Sequence, residues 1–222
     1  ELRTPLASLS TATYLLLRPE MSREQRDQIV NNIHNETLRL NSLASSFLDL
    51  ARLESGRVQF RKTRFSVADL IYECRDVMLS KAQETNIQIR VDAPNDLPLM
   101  EADRDKIKQV LLNLLSNAIK YNRPNGFVTI SSAFDASTIS IIVQDTGVGI
   151  PEESIPHLFE KFYRVREHEG ATGTGLGLSI SKEIIQGHNG RIEVKSKIGV
   201  GTSFAIYIPR QTRTPPHDSE PF

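Results

Sequence analysis

Apolar residues recur along this chain with two different periods, and the switch between them divides it. From Leu2 to Leu17 the positions Leu2, Leu6, Leu9, Tyr14 and Leu16 or Leu17 follow at three- to five-residue steps, a helical stripe that ends ahead of Pro19, whose ring disfavours helix at Arg18. Ser22 with Gln25 forms a capping-box signature. Ile29, Ile33, Leu40, Leu43, Phe47, Leu50 and Leu53 then recur at three-, four- and seven-residue steps until Gly56 closes the run. A second helix of about 35 residues, at about 1.5 Å each, spans roughly 50 Å, more apolar stripe than one partner helix covers. The pattern predicts a helical hairpin that pairs with a second copy into a four-helix bundle.

After Arg64 and Phe65 the pattern changes. Ser66 with Asp69 opens a helix to about Glu84, Ile87, Ile89 and Val91 alternate as a strand, and Glu101 to Tyr121 read as another helix. Val128 and Ile130, then Ile139, Ile141 and Val143, alternate on either side of a short turn; Ile192 and Val194, then Phe204, Ile206 and Ile208, do so again, with a helix from about Leu176 to Gln186 between the pairs. The fold class expected is α+β, a long antiparallel helical hairpin followed by an α/β sandwich with a mixed sheet. The domains expected are the hairpin at 1–60, the sandwich at 66–209 and a disordered tail at 210–222, where prolines cluster and almost nothing is apolar before Phe222.

Composition narrows the function classes. With 39% apolar residues in 222 the chain can bury a sizeable core, and 27 basic against 27 acidic residues leave no global field to attract DNA or an anionic membrane. Ten Lys/Arg against seven Asp/Glu up to position 66 make the first part +3, while fifteen against eighteen make 67–209 −3, so the two parts are expected to do different jobs. Cys74, the single cysteine, has no intrachain partner, and no run of about 18 apolar residues reads as a membrane span. A cytoplasmic segment is expected, compatible with a parent protein anchored through upstream segments. His34, His157, His168, His188 and His217 show no metal-ligand spacing and read as surface residues.

Four polar constellations stand out. On the helix ending at Tyr121, Asn113, Asn117 and Lys120 form a polar stripe among Val110, Leu111, Leu114, Leu115 and Ala118. Such a stripe is either a solvated face or a set of amide oxygens suited to a hard cation shared with phosphates. Asp145 ends a strand before Thr146-Gly147-Val148-Gly149-Ile150, which is either a turn or a carboxylate placed to accept from an amine, with glycines admitting a flat ligand. Gly170, Gly173, Gly175 and Gly177 lead into a helix N-terminus, a flexible loop or a phosphate cradle, though not a Walker loop. Just ahead, Phe159 and Phe162, three apart, read as a helix face pinned to a core, with Arg164 as a candidate phosphate contact.

In sequence order, Glu1-Leu2-Arg3-Thr4-Pro5-Leu6, Gln109 to Tyr121 (QVLLNLLSNAIKY), Asp145-Thr146-Gly147-Val148-Gly149-Ile150, Phe159 to Arg164, Gly173-Thr174-Gly175-Leu176-Gly177-Leu178 and Gly199-Val200-Gly201-Thr202 resemble the H-box remnant and the N, G1, F, G2 and G3 boxes of two-component sensor histidine kinases. The resemblance covers residues 1–209 and implies a dimerisation and histidine-phosphotransfer hairpin followed by a Bergerat-type ATP-binding domain using ATP and Mg²⁺. It assigns Asn113 as the metal ligand, Asn117 near metal and phosphates, Lys120 to phosphate, Tyr121 to packing on adenine and Asp145 to the adenine amine. Gly147, Gly149 and Ile150 would shape that pocket, Phe159, Phe162, Arg164 and the segment Gly173, Thr174, Gly175, Leu176, Gly177 and Leu178 the phosphate side and lid, and Thr202 the floor beneath the base.

The family's H-box reads His-Glu-Leu-Arg-Thr-Pro-Leu, so the resemblance places the phospho-accepting histidine immediately before Glu1. His34, within His-Asn-Glu-Thr midway along the second helix, matches neither the motif nor its place. Glu1 would orient or deprotonate the acceptor imidazole, and Thr4 completes a Glu-x-x-Thr pattern associated with dephosphorylating the partner, a response-regulator receiver domain. The alternative expectation is a dimeric signalling scaffold that binds nucleotide without transferring phosphate; a topoisomerase or chaperone fragment of the same ATP fold is disfavoured by the long hairpin.

Overall fold

The computed structural model describes residues 3–18, 21–56, 58–94, 97–165 and 174–210, with the side chains of Arg3 and Thr4 excepted. The chain forms two compact units, Glu1–Val58 with Phe159–Ile180, and Gln59–Leu158 with Ser181–Phe222.

In the first unit α1 (Arg3–Leu16) packs against α2 (Arg23–Glu54). Ser22 caps α2 as its sequence predicts: its Oγ accepts from the Gln25 N–H at 3.2 Å, and the Gln25 side chain returns the bond to the Ser22 N–H at 3.1 Å. Of the apolar stripe of α2, Leu43 and Leu50 are buried within this one chain and Phe47 is half exposed; Val30, Leu38 and Leu48, off that stripe, and Leu6 and Tyr14 of α1 also keep half or more of their surface exposed. At the far end of α2, Lys161 Nζ lies 2.7 Å from Glu54 Oε1. Phe159 and Phe162 belong to turns rather than to the helix face expected of them, and Phe162 takes a left-handed backbone, φ 63°.

The second unit is a layer of helices on a mixed sheet. Its strands β2 (Gln88–Asp92), β4 (Phe127–Phe134), β5 (Thr138–Asp145), β6 (Arg191–Lys197) and β7 (Gly201–Pro209) run in the order β2-β4-β5-β7-β6, parallel for β2 and β4 and antiparallel elsewhere. The alternation read from sequence is the burial pattern of the strands: Val128 and Ile130, Ile139, Ile141 and Val143, and Phe204, Ile206 and Ile208 point into the core. Against them lie Leu70, Ile71 and Cys74 of α3 (Val67–Glu84), Ile107, Leu111, Leu114 and Leu115 of α4 (Arg104–Lys120), and Ile184 and Ile185 of α5 (Gly177–Gly187). The other face is polar, with Arg90 stacked on Phe127 and Arg191 on Tyr207.

Glu101, expected to begin a helix, lies in β3 (Met100–Ala102), which pairs antiparallel with β1 (Thr63–Phe65). The helix starts at Arg104 because Asp103 caps it, accepting from the Lys106 N–H at 3.1 Å. Strands of three residues leave no period to read.

Candidate functional site

Where β5 ends, Asp145 is buried at 7% exposure. Its Oδ1 accepts the Gly147 N–H at 2.8 Å and the Thr202 N–H at 3.2 Å. Among the described residues its Oδ2 accepts no hydrogen bond, which leaves a carboxylate oxygen with an unused acceptor. Burial pushes the carboxyl above the ordinary carboxylate range, opposed by the N–H groups of Gly147 and Thr202.

The glycines around it are dictated by close backbone approach. A Cβ on Gly147 would lie 2.3 Å from the Tyr121 carbonyl and 2.8 Å from Asp145 Oδ1. Gly149 combines φ +77° with a Lys197 carbonyl 2.2 Å from where its Cβ would sit, and no L side chain fits there. The loop is stitched to α4 by Val148 N–H donating to Tyr121 O at 3.1 Å, and to β6 by Ile150 N–H donating to Ser196 Oγ at 2.9 Å. A cleft of about 280 Å³ is lined in part by Asp145, Ser196 and Thr202, but also by Gln144, Lys195 and Ser203 of the opposite sheet face, so it is not by itself a pocket for a base.

On α4 the polar stripe is half-buried rather than solvated. Asn113 Nδ2 donates to Ser181 Oγ at 3.0 Å, which turns its Oδ1 away from that contact as an oxygen donor suited to a hard cation. The Lys120 ammonium sits 4.7 Å from the centroid of the Tyr121 ring, and Asn117 O accepts the Tyr121 N–H at the helix end. Asn113, Asn117, Lys120 and Tyr121 are therefore on one run of helix that abuts the loop carrying Gly147 and Gly149. Among the described residues no cluster of three His, Cys, Asp or Glu side chains could hold a metal.

In the first unit, Phe162 N–H donates to Gly175 O at 3.0 Å, and Gly175, at φ +70°, brings its Cα against the Phe162 backbone, where a Cβ would approach to 2.7 Å. Thr174 Oγ1 accepts the Leu176 N–H at 3.3 Å, and Leu176 is fully buried ahead of α5, with Gly177 and Leu178 opening the helix. Phe159 and Arg164 are half-buried. Glu1 and Gly173 lie outside the described residues, and of Thr4 only the backbone, in α1, is described.

Sequence reasoning missed two side chains. His188, expected at the surface, is 4% exposed: its Nδ1 lies 2.7 Å from Ile184 O, its Nε2 accepts the Asp103 N–H at 2.9 Å, and the Phe60 ring packs 4.4 Å away. Burial pushes its pKa below the ordinary histidine value. Ser196 lies under the Asp145 loop and has no local signature at all; its role depends on strands distant in sequence. Cys74 is buried and its thiol is pushed up to about 11 by desolvation, which removes it from thiolate chemistry.

In this sandwich β5 ends in a buried carboxylate beside a glycine turn, with an asparagine-bearing helix alongside. Comparison with known proteins gives the class. Residues 102–212 match the family model for histidine kinase-, DNA gyrase B- and HSP90-like ATPases, and residues 1–56 match the His Kinase A (phospho-acceptor) domain. The chain belongs to that ATPase family and has the catalytic-core arrangement of two-component sensor histidine kinases.

The circadian input-output histidine kinase CikA of Synechococcus elongatus is 33% identical over 229 residues, covering 100% of this chain and 30% of CikA. Among solved structures, full-length ShkA in complex with AMPPNP superposes with a TM-score of 0.74 at 28% identity, over 94% of this chain and 43% of ShkA. Histidine kinase ThkA in complex with the response regulator protein TrrA gives a TM-score of 0.76 at 29% identity, over 93% and 58%. The chain thus spans less than two thirds of each of these relatives.

Proposed function

We propose that this chain binds Mg·ATP and serves, with a histidine in the position the H-box motif places immediately before Glu1, as a protein-histidine kinase that passes its phosphoryl group to a response-regulator aspartate. The observation that carries the reading is Asp145, a buried carboxylate whose Oδ1 is saturated by two backbone N–H groups while Oδ2 awaits a donor, which an adenine amine supplies.

In this reading Asp145 holds the base, Gly147, Gly149 and Ile150 let it approach the backbone, Thr202 lies beneath it and Tyr121 packs on its face. Asn113, turned by Ser181, would hold Mg²⁺, with Asn117 beside the metal and phosphates and Lys120 on phosphate. Bound Mg²⁺ supplies charge neutralisation on the phosphates. Phe159, Phe162, Arg164 and the segment Gly173, Thr174, Gly175, Leu176, Gly177 and Leu178 would form the lid and the phosphate side. A ring nitrogen of the acceptor histidine attacks the γ-phosphorus in line, the bond to the β–γ bridging oxygen breaks, and ADP leaves. Glu1 would orient the imidazole and take its proton; Thr4 would position a water whose oxygen attacks the phosphoryl group on the partner's aspartate, releasing phosphate and the free carboxylate.

A response-regulator partner is supported by ThkA, which was solved with one. The match of residues 1–56 to the His Kinase A (phospho-acceptor) domain, together with neighbouring Phe47 and Leu48 left at least half exposed on α2, supports a homodimer through the hairpin.

The test is labelling with γ-labelled ATP. The chain 1–222 should hold nucleotide and gain no acid-labile phosphate, whereas the same chain with histidine added before Glu1 should label, and Asn113→Ala in that extended form should abolish it. Labelling of the unextended chain on His34 or another of its own histidines overturns the assignment of the acceptor.

A further inference from the structure

α2 ends at Glu54, and five positions, 55–59, separate it from Phe60 of the second unit. The Phe60 ring lies 4.4 Å from the His188 ring, tilted by 56°. It also fills the space that a side chain at position 187 would take: a Cβ on Gly187 would come within 2.3 Å of Phe60 Cε2 and 2.5 Å of Cζ. Gly187 closes α5 without a left-handed backbone, so conformation does not demand a glycine there. The gap admits the ring.

The floor of this seat is rigid. His188 Nδ1 lies 2.7 Å from the Ile184 carbonyl, which only accepts, so Nδ1 carries the ring proton and Nε2 is left to accept the Asp103 N–H at 2.9 Å. Asp103 in turn caps α4 through Oδ1 and accepts the Arg61 N–H on Oδ2 at 2.9 Å. Among the described residues that single solvent-exposed bond, which water replaces readily, is the other long-range hydrogen bond made by this stretch before Thr63 pairs with Ala102. With the ring seated, six Cα steps from Glu54 reach a fixed point, a span of about 20 Å at most; without it, nine steps lead to Thr63, a span of about 30 Å.

We propose that Phe60 is a positioning residue for phosphoryl transfer: seated over Gly187 against His188, it shortens the free chain between the hairpin and the ATP-binding unit and so raises the effective concentration of the bound γ-phosphoryl group at the acceptor histidine. This rests on the reading of the chain as a histidine kinase. The effective concentration of tethered groups falls with about the 3/2 power of tether length or more steeply, so going from six steps to nine lowers it about two- to fourfold. Nucleotide binding is untouched, because Phe60 acts only through the length of chain it leaves free.

The experiment uses chain 1–222 with histidine added before Glu1, and reads the rate of histidine labelling at saturating Mg·ATP, the ATP concentration giving half that rate, and thermal melting. Phe60→Ala should lower the saturated rate about two- to fourfold and leave half-saturation where it was. Gly187→Ala, which evicts the ring while Phe60 remains, should lower the rate by the same factor and lower the melting temperature. In the Phe60→Ala background the same substitution should raise the melting temperature, as alanine does at an unobstructed helix position, and change the rate no further. About twelve Gly and Ser residues inserted after Gly56 lengthen the tether about threefold and should lower the rate about fivefold, and in that inserted chain Phe60→Ala should change it by less than about 1.5-fold. A purely structural Phe60 would weaken nucleotide binding with the fold and cost the same factor with or without the insertion. That result overturns the proposal, as does an unchanged or raised rate in the inserted chain, or in Gly187→Ala should Phe60→Ala fail to fold. If the extended wild-type chain gains no phosphate, or Asn113→Ala still gains it, the kinase reading falls and the inference with it; if labelling depends on Asn113 while the tether variants keep the rate, only the inference falls.

Discussion

Replacing Asp145 by Asn changes one atom at the centre of the site. Asparagine Oδ1 can still accept the Gly147 and Thr202 N–H groups, now 2.8 and 3.2 Å from the carboxylate oxygen, so the loop keeps its two backbone anchors. The change falls on the other side, where an NH₂ donor replaces the unused Oδ2. An adenine amine loses a charge-assisted hydrogen bond, about 1.5–3 kcal/mol, and meets a donor instead. That is about 10- to 150-fold in Kd for ATP. The fold itself should lose little, because burial already opposes the ionised carboxyl, so the neutral amide trades weaker backbone bonds for relief of that desolvation. Calorimetry with Mg·ATP and a thermal melt of the free chain separate the two effects, with a melting temperature expected within about 3 °C of wild type, since about 1 kcal/mol corresponds to about 2–4 °C at this size. The ionised carboxylate is the form that accepts, and its pKa is raised, so wild-type ATP affinity should weaken as pH falls through that raised value, and the variant should lack this slope. Unchanged ATP affinity, or a loss in affinity matched by an equal loss in stability, refutes the reasoning.

Gly149→Ala should destabilise the second unit by about 2 kcal/mol or more in urea, because φ +77° and a carbonyl 2.2 Å from the new Cβ leave it no position; a variant as stable as wild type contradicts this. His188 is held neutral, its pKa below the unfolded value near 6.5, so the unfolded chain binds the extra proton first and stability should drop as pH falls through that value. His188→Ala should cost about 2–4 kcal/mol at neutral pH and flatten that part of the profile, which denaturation at a series of pH values reads directly. Phe47→Glu with Leu48→Glu should give monomers by sedimentation at tens of micromolar without unfolding the hairpin, since both side chains are at least half exposed in the single chain; Leu43, buried in the same helix, is the wrong place to test dimerisation.

The helices that stand on strong periodicity and a cap are legible in the chain of residues alone: α2 begins at the Ser22–Gln25 box, and α4 is the segment of the asparagine stripe. So are the paired strands, because Ile139, Ile141 and Val143 must face one side. The six short motifs, in order, are enough to name the family, and they mark Asp145, Gly147 and Gly149 as residues with a reason to be there. Phe159 and Phe162 mislead, since a three-residue spacing suits a helix and a turn alike, and only the left-handed Phe162 decides between them. The paired three-residue strands β1 and β3 exist because each satisfies the other's backbone, and neither segment carries that information alone.

What the chain determined by itself was therefore local: which segments turn into helix or strand, where caps and glycines end them, and which residue types stand ready for phosphate, metal or base. What tertiary structure decided was which distant atoms meet. Thr202 reaches Asp145 across 57 positions, Ser196 reaches Ile150 across 46, and His188 is buried because Asp103, 85 residues away, gives it a backbone N–H. Each of those side chains is a small polar group with no pattern of its own. A hydrogen bond is made or lost within about half an ångström, so whether such a group is idle surface or a buried strut is set by the register of strands far apart in sequence, and that register exists only once the core has packed.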